Sequence, residues 1–229
     1  MKEKTFRHLK FDTYKATRKG MPDELAAQLP ITKQVLDALG VTRCEKAGFE
    51  ADDLLGTISR RADEHGDTCV VVTGDRDSLQ LVGGGTTVML VSTRMGQTTY
   101  QTYDTAAFRE KYGFDPIRLI DLKALMGDSS DNIPGVPGIG EKTAMQLLHD
   151  FGTLEGVYAN IDDERIKKGA RTKLQNGEQS AKDSFWLATI DRNVPLDLDV
   201  EHLPAQDIDE TALYDLLTRL EFKNFIKRF

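Results

Sequence analysis

The sequence lacks most of what a secreted, zinc-bound or membrane-embedded protein would show. It has 2 cysteines and 4 histidines in 229 residues. Cys44 and Cys69 sit in no CxxC or other metal-ligand spacing, so two reduced core thiols are expected rather than a zinc site or a disulfide framework. No apolar run approaches the roughly 18 residues of a membrane helix. The opening Met1-Lys2-Glu3-Lys4 has no apolar signal core. A soluble, cytoplasmic monomer with no membrane partner is the expectation. Internal repeats and low-complexity segments are also missing. So is any excess of basic residues: the net charge is −7, which argues against a simple nucleic-acid coat.

That average hides a local pattern. Residues 1–20 carry seven basic side chains against two acidic ones, a net of +5. This segment is either a solvated terminus or a phosphate-contacting arm. Beyond it, 39% hydrophobic residues and 19 glycines suit a packed core. Pro22 opens a helical stretch that Pro30 should bend and Gly40 should end. Val41–Cys44 reads as a short strand. Glu50–His65 reads as an amphipathic helix stopped by Gly66. The run Cys69–Thr73 has the β-branched character of a strand buried in a parallel sheet. Asp77–Leu81 reads as a short helix, and Val88–Val91 and Thr98–Tyr103 as strands joined at Met95-Gly96. After that only helices are predicted, at 105–112, 116–126, 142–151, 182–190 and 211–220, while 160–178 is polar and undefined. The pattern implies an α/β half, 1–115, followed by a helical half, 116–229.

Seven carboxylates gather in three short clusters: Glu50, Asp52 and Asp53; Asp75 and Asp77; Asp128 and Asp131. The first can be an ordinary acidic helix start, favoured by the helix dipole. The second follows a predicted buried strand, where open α/β sheets bind ligands, although Gly-Asp is also a common turn. In the third, a helical turn would place two acids on one side at a helix C-terminus, where a bound cation would compensate them. An all-oxygen set with no His or Cys suits Mg²⁺ or Mn²⁺. Two such ions about 4 Å apart are the usual apparatus of phosphodiester hydrolysis.

Residues 133–144 read Ile-Pro-Gly-Val-Pro-Gly-Ile-Gly-Glu-Lys-Thr-Ala. Gly135, Gly138 and Gly140 allow close backbone approach, and the loop runs into a helix N-terminus whose N–H groups point outward. That is a phosphate cradle without sequence readout, to which Lys142 and Thr143 can add contacts. The spacing is not that of a Walker A loop.

Taken in order, Glu50-Ala51-Asp52-Asp53, Gly74-Asp75-Arg76-Asp77, Gly127 to Gly135 and Val136 to Ala144 resemble the motifs of the 5′-nuclease (flap endonuclease) superfamily, above all the 5′→3′ exonuclease domain of bacterial DNA polymerase I. The resemblance covers nearly the whole chain. It implies an α/β fold, a PIN-like parallel sheet flanked by helices, followed by a helical region whose helix-three-turn-helix grips duplex backbone. It implies that the seven carboxylates bind two or more Mg²⁺ or Mn²⁺ ions and that K⁺ can sit on carbonyls of the 133–144 loop. Tyr14-Lys15-Ala16-Thr17-Arg18 resembles the family's arch helix. Lys15 and Arg18 would then act as electrostatic catalysts on the scissile phosphate, with Tyr14 stacking near the 5′ end and Arg7 contacting a phosphate.

Two aspartates, one basic residue and two central strands that begin the family pattern have no counterpart here, so an exposed apolar sheet edge is expected. The resemblance implies a structure-specific 5′-3′ exonuclease or flap endonuclease of DNA repair and replication. Its substrate would be branched or 5′-ended DNA, and a polymerase region could follow. The alternative is a non-catalytic or weakly active DNA-binding module. A phosphatase using Asp75 and Asp77 would leave the helical half without a purpose.

Overall fold

The computed structural model describes residues 3–200, 203 and 206–228. In chain order the elements are α1 (Phe6–Lys10), α2 (Asp23–Ala26), α3 (Leu29–Ala38), α4 (Ala51–His65), β1 (Cys69–Thr73), β2 (Thr86–Arg94), β3 (Gln97–Tyr103), α5 (Thr105–Tyr112), α6 (Leu119–Met126), α7 (Glu141–Phe151), α8 (Leu154–Ala159), α9 (Lys168–Asn176), α10 (Glu178–Ala188), α11 (Glu210–Arg219) and α12 (Lys223–Ile226). They form two compact units, one from residues 1–18 and 46–196, the other from 19–45 and 197–229.

In the first unit β1 pairs in parallel with β2, and β2 pairs antiparallel with β3. The sheet is therefore mixed rather than wholly parallel. The cause is the tight turn at Met95-Gly96, where both residues take positive φ and the chain folds straight back. Val71 and Val88 face each other across the first pair, and Val88 faces Tyr103 across the second. All three are buried. The expectation that β1 is covered on both faces is corrected: Val70 and Val72 are 54% and 59% exposed. Among the described residues, β1 lies at one end of the sheet, bonded to β2.

One hydrophobic core spans the expected 115/116 boundary. Leu79, Val88 and Phe108 belong to the same cluster as Leu125, Leu148 and Leu174. The short helix expected at 77–81 is a 3-10 turn, Arg76–Leu81, started by the Asp75 carboxylate, which accepts the Asp77 N–H at 2.9 Å. In the polar stretch 160–178, α9 forms over Leu174, which is fully buried.

Helix α6 ends at Met126, because Gly127 has φ +76°. Asp128 and Ile133 then exchange two backbone hydrogen bonds of 2.8 Å, and the Val136 N–H reaches the Leu125 carbonyl at 2.8 Å. Gly135, at φ +62°, lies so close to Gly127 that a Cβ would run into the Gly127 backbone. Its N–H donates to Ser184 Oγ at 2.9 Å and its carbonyl accepts from Ser180 Oγ at 2.6 Å. Gly135 is thus buried structure rather than a phosphate contact.

Arg7 and Asp53 are corrected in the same way. Arg7 is 3% and Asp53 0% exposed. The guanidinium donates to both Asp53 carboxylate oxygens at 2.8 Å, and also to the Leu187 and Thr189 carbonyls at 3.1 and 2.5 Å. Burial alone would lower the Arg7 pKa, but Asp53 reverses the sign and holds the guanidinium charged. Asp53 also accepts the backbone N–H of Glu50 at 3.0 Å and of Asp191 at 2.9 Å. These contacts use the groups that a phosphate or a metal ion would need.

In the second unit α3 packs on α11 through Ala38, Leu213 and Leu217. Pro30 falls in the first turn of α3, so the expected bent helix is two helices. Val41–Cys44 forms no strand. Arg43 instead turns back to Asp37 on α3, at 2.6 and 2.9 Å.

Two outcomes follow for stability. Asp53→Asn leaves the buried guanidinium with Glu50, 3.5 Å away, as its remaining counter-charge, and should lower unfolding free energy by about 3 kcal/mol in denaturant titration. Gly135→Ala meets backbone on both counts, conformation and space. It should lower the thermal midpoint well beyond what Gly140→Ala does, since the Cβ position of Gly140 is open.

Candidate functional site

The remaining carboxylates lie in the first unit, in two neighbouring groups. In one, Asp77 from the 3-10 turn and Asp128 from the segment after α6 share the Lys123 ammonium. Lys123 lies on α6 and is only 8% exposed; its bond to Asp128 is 2.6 Å. Asp128 also accepts the Ser130 N–H and hydroxyl, at 2.8 and 2.6 Å. Burial would raise the Asp128 pKa, but these donors and the Lys123 charge carry it down to about 2. Burial pushes Asp77 upward despite Lys123, and the charges of Asp75 and Asp128 add to the rise. Asp52, beside them, is also pushed up, first by burial and then by Asp75, against a 2.9 Å hydrogen bond from Ser78. Lys123 itself stays charged: burial opposes this, and the two aspartates outweigh it.

The second group pairs Glu50 with Asp131. Lys15 Nζ lies 2.7 Å from Glu50 and 3.4 Å from Asp131. Arg18 donates to Asp131, and Asp75 is near enough to add to the forces that keep Arg18 protonated against its burial. The Tyr14 hydroxyl donates to Glu50 at 2.9 Å. Tyr14 is 3% exposed, so its ring packs inside the protein and is not offered for stacking. Burial, with Glu50 next, pushes its pKa upward. Residues 12–17 run as successive turns rather than an arch helix, with Lys15 at φ +55°. A tertiary contact accompanies this: the Lys15 N–H donates to the distant Asp131 carbonyl at 2.9 Å.

Asp128 and Asp131 therefore do not share a helical face. The helix has already stopped at Met126, and the two acids serve different groups. Asp75 links the groups electrostatically and stands exposed between their sequence neighbours. Among the described residues, no three carboxylates are gathered as a ready metal cage. The donor chemistry nevertheless fits a hard divalent cation: every side-chain donor is oxygen, and a lysine ammonium already bridges two of the acids. Asp75, Asp77 and Asp128, with Asp52 beside them, are the residues that would hold such an ion. Lys123 and Ser78 escaped the sequence reading. Lys123 lies in an apolar helix, Leu119–Met126, where its charge had no visible partner. Ser78 gave no signal.

The loop supplies a second feature. Gly138, Gly140, Lys142 and Thr143 are exposed, while Val136 and Ile139 anchor the loop in the core. Gly140 is the N-cap of α7: its carbonyl takes the Thr143 and Ala144 N–H groups at 3.0 Å, and the N–H groups ahead of these have no intrahelical acceptor. A cleft of about 1120 Å³ elsewhere in this unit, lined by Phe6, Leu154, Tyr158 and Trp186 among others, holds none of the seven carboxylates. No helix among the described residues is long and apolar enough to cross a membrane.

Residues 1–113 match the family described as 5′-3′ exonuclease, N-terminal resolvase-like domain. Residues 114–211 match 5′-3′ exonuclease, C-terminal SAM fold. Over 222 residues, 97% of this chain, the sequence is 42% identical to DNA polymerase I of Caldicellulosiruptor bescii. Over 224 residues, 98% of the chain, it is 42% identical to DNA polymerase I of Bacillus caldotenax. The chain spans about a quarter of the length of these relatives, 26% and 25%. In fold it is similar to the T5 5′-exonuclease with bound divalent metal ions (TM-score 0.65, 23% identity, 94% of this chain and 80% of that one). It is also similar to the catalytic core of Rad2 in complex with DNA substrate (TM-score 0.59, 19% identity, 93% and 70%). Two consecutive family matches over residues 1–211, on a chain carrying this carboxylate array, place it in one family: the chain belongs to the 5′-3′ exonucleases.

Proposed function

We propose that this chain is a structure-specific 5′ nuclease that hydrolyses phosphodiesters of branched or 5′-ended DNA with the help of Mg²⁺ or Mn²⁺. One observation carries the reading. Acids from three separate segments, Asp52, Asp75 with Asp77, and Asp128, are folded into mutual electrostatic range, with the cations Lys15 and Arg18 on their flank. Acids brought together with raised pKa values in this way are the signature of a candidate cation site. When bound, divalent ions would supply Lewis-acid charge and lower the pKa of a water molecule. Asp75, Asp77, Asp128 and Asp52 would hold them. Glu50 and Asp131 hold Lys15 and Arg18 at the edge of the site, where both can meet the anionic oxygens of a phosphate. Lys142 and Thr143, with the amides at the start of α7, would grip the duplex backbone. The relatives' names add a second proposal, that a polymerase region follows in the native protein.

A non-catalytic DNA-binding module is the competing reading, favoured by the lack of a ready three-carboxylate cage among the described residues. Cleavage of a 5′-flap DNA decides between them. Turnover in Mg²⁺ or Mn²⁺ that falls at least about a hundredfold in Asp75→Asn and Asp77→Asn is expected. Binding without turnover in either metal would leave only the module.

The raised acids give a second outcome. Asp52 and Asp77 take up protons more readily folded than unfolded, so their penalty grows as pH rises above the ordinary carboxylate range and fades below it. Asp128 has the opposite sign: its contribution is intact above that range and is lost as pH falls toward about 2. A bound cation relieves the penalty on Asp52 and Asp77. Mg²⁺ should therefore raise the thermal midpoint more at pH 8 than at about pH 4, within the ordinary carboxylate range. Equal shifts at both pH values would contradict the assignment.

Lys123→Met removes the built-in cation between Asp77 and Asp128. In metal-free buffer it should lower the thermal midpoint, and Mg²⁺ should restore more stability to the variant than it adds to the parent.

A further inference from the structure

The 133–144 loop is held from behind by a segment that the sequence reading left undefined. Lys173, on α9, donates from Nζ to the Gly138 carbonyl at 2.9 Å. Its aliphatic stem lies alongside: a Cβ on Gly138 would meet Lys173 Cε and Nζ at 3.0 Å. One turn later Gly177 packs so near Val136 that its own Cβ would lie 2.9 Å from Val136 Cγ1. Ser180 and Ser184, one helical turn apart on α10, take the carbonyl and the N–H of Gly135. The loop's two left-handed glycines, Gly135 and Gly138, are thus each tied by side chains from α9 or α10.

These ties differ in kind. The serines bond neutral groups in a partly or fully buried place, but Lys173 is exposed and brings a full charge to a carbonyl three residues before α7 begins. A backbone carbonyl pointing toward an incoming phosphate would repel it; an ammonium on that carbonyl removes the repulsion and fixes the peptide plane.

We propose that Lys173 is the built-in counter-cation of the 133–144 loop. It is a positioning residue that fixes the Gly138 carbonyl so that the start of α7 is presented to a DNA phosphate without help from a free monovalent ion. This rests on the nuclease reading above. Its physical signature is ion dependence. A carbonyl that holds an ammonium can hold a small alkali cation once the ammonium is gone, whereas a bulky quaternary cation cannot reach it.

The test is binding of a 5′-flap DNA by the full chain, with Ca²⁺ as the divalent ion, in KCl and in tetramethylammonium chloride at equal ionic strength. The parent should bind within about twofold in the two salts, because its phosphate contacts release the same counterions in each. Lys173→Met should bind about tenfold more weakly in tetramethylammonium, the loss expected for one charged hydrogen bond, and recover most of it in KCl. Lys173→Arg should behave as the parent. Ser180→Ala, which loosens the loop without removing charge, should lose affinity equally in both salts. Parent-like binding by Lys173→Met, an equal loss in both salts, or failure of Lys173→Arg to rescue would overturn the assignment while leaving the nuclease reading intact. A parent that binds no flap DNA in either salt would overturn the nuclease reading, and this inference with it.

Discussion

The buried pair of Arg7 and Asp53 is the contact on which the site depends. It joins the N-terminal segment to the start of α4, and through the Leu187 and Thr189 carbonyls to the end of α10. Three stretches far apart in sequence meet at one guanidinium. Removing a charge from such a pair costs far more than an average hydrogen bond, because the survivor is left unpaired in a medium that solvates it poorly. Everything that Tyr14, Lys15 and Arg18 do at Glu50 and Asp131 presupposes that α1 is pinned there. The stabilising role of Asp53 and the site role of its neighbours Glu50 and Asp52 follow from one helix start seen from two sides.

Beyond that anchor the organising constraint is repulsion. Asp52 and Asp77 sit in surroundings that favour the neutral acid, and the fold answers with lysines and arginines at the margins. Lys123 is the clearest case: a nearly buried lysine on an otherwise apolar helix, charged only because two aspartates keep it so. The arrangement is self-neutralising, yet every cation in it is a flexible side chain that can give way. A divalent ion offers more charge at one point and asks less conformational entropy of the chain than two long side chains do.

The sequence made the chemistry legible and left the packing obscure. Clustered acids at a strand end and beyond a helix end were visible because like charges crowded together are locally costly. Hence Asp75, Asp77 and Asp128 could be named. Asp53 could not be told from Asp52, since one residue of helical rotation decides which is buried, and the decisive partner, Arg7, lies 46 residues away. Gly135, Gly138 and Gly140 look alike in the sequence. Only the first sits against backbone and between two serines. The burial of Tyr14, which the resemblance implies stacks near the 5′ end, was equally invisible in the sequence. The mixed sheet was half legible: the Met95-Gly96 turn announces a hairpin, whereas the exposure of Val70 and Val72 depends on what does not cover them.

Helix α6 explains why the two halves of the proposed activity can work together. It is short, Leu119–Met126, and buried along most of its length. From it Lys123 reaches Asp77 and Asp128, while the carbonyl of Leu125 holds Val136 at the root of the loop. Lys123, which bonds the acids, and Leu125, which holds the root of the loop, are thus two residues apart on one helix. A duplex held at the loop, as proposed, would meet the carboxylates at a distance set by helix geometry rather than by a flexible linker. That geometry would select where along a strand a phosphate comes under the acids without reading a base, which is what a nuclease that recognises the shape of its substrate requires.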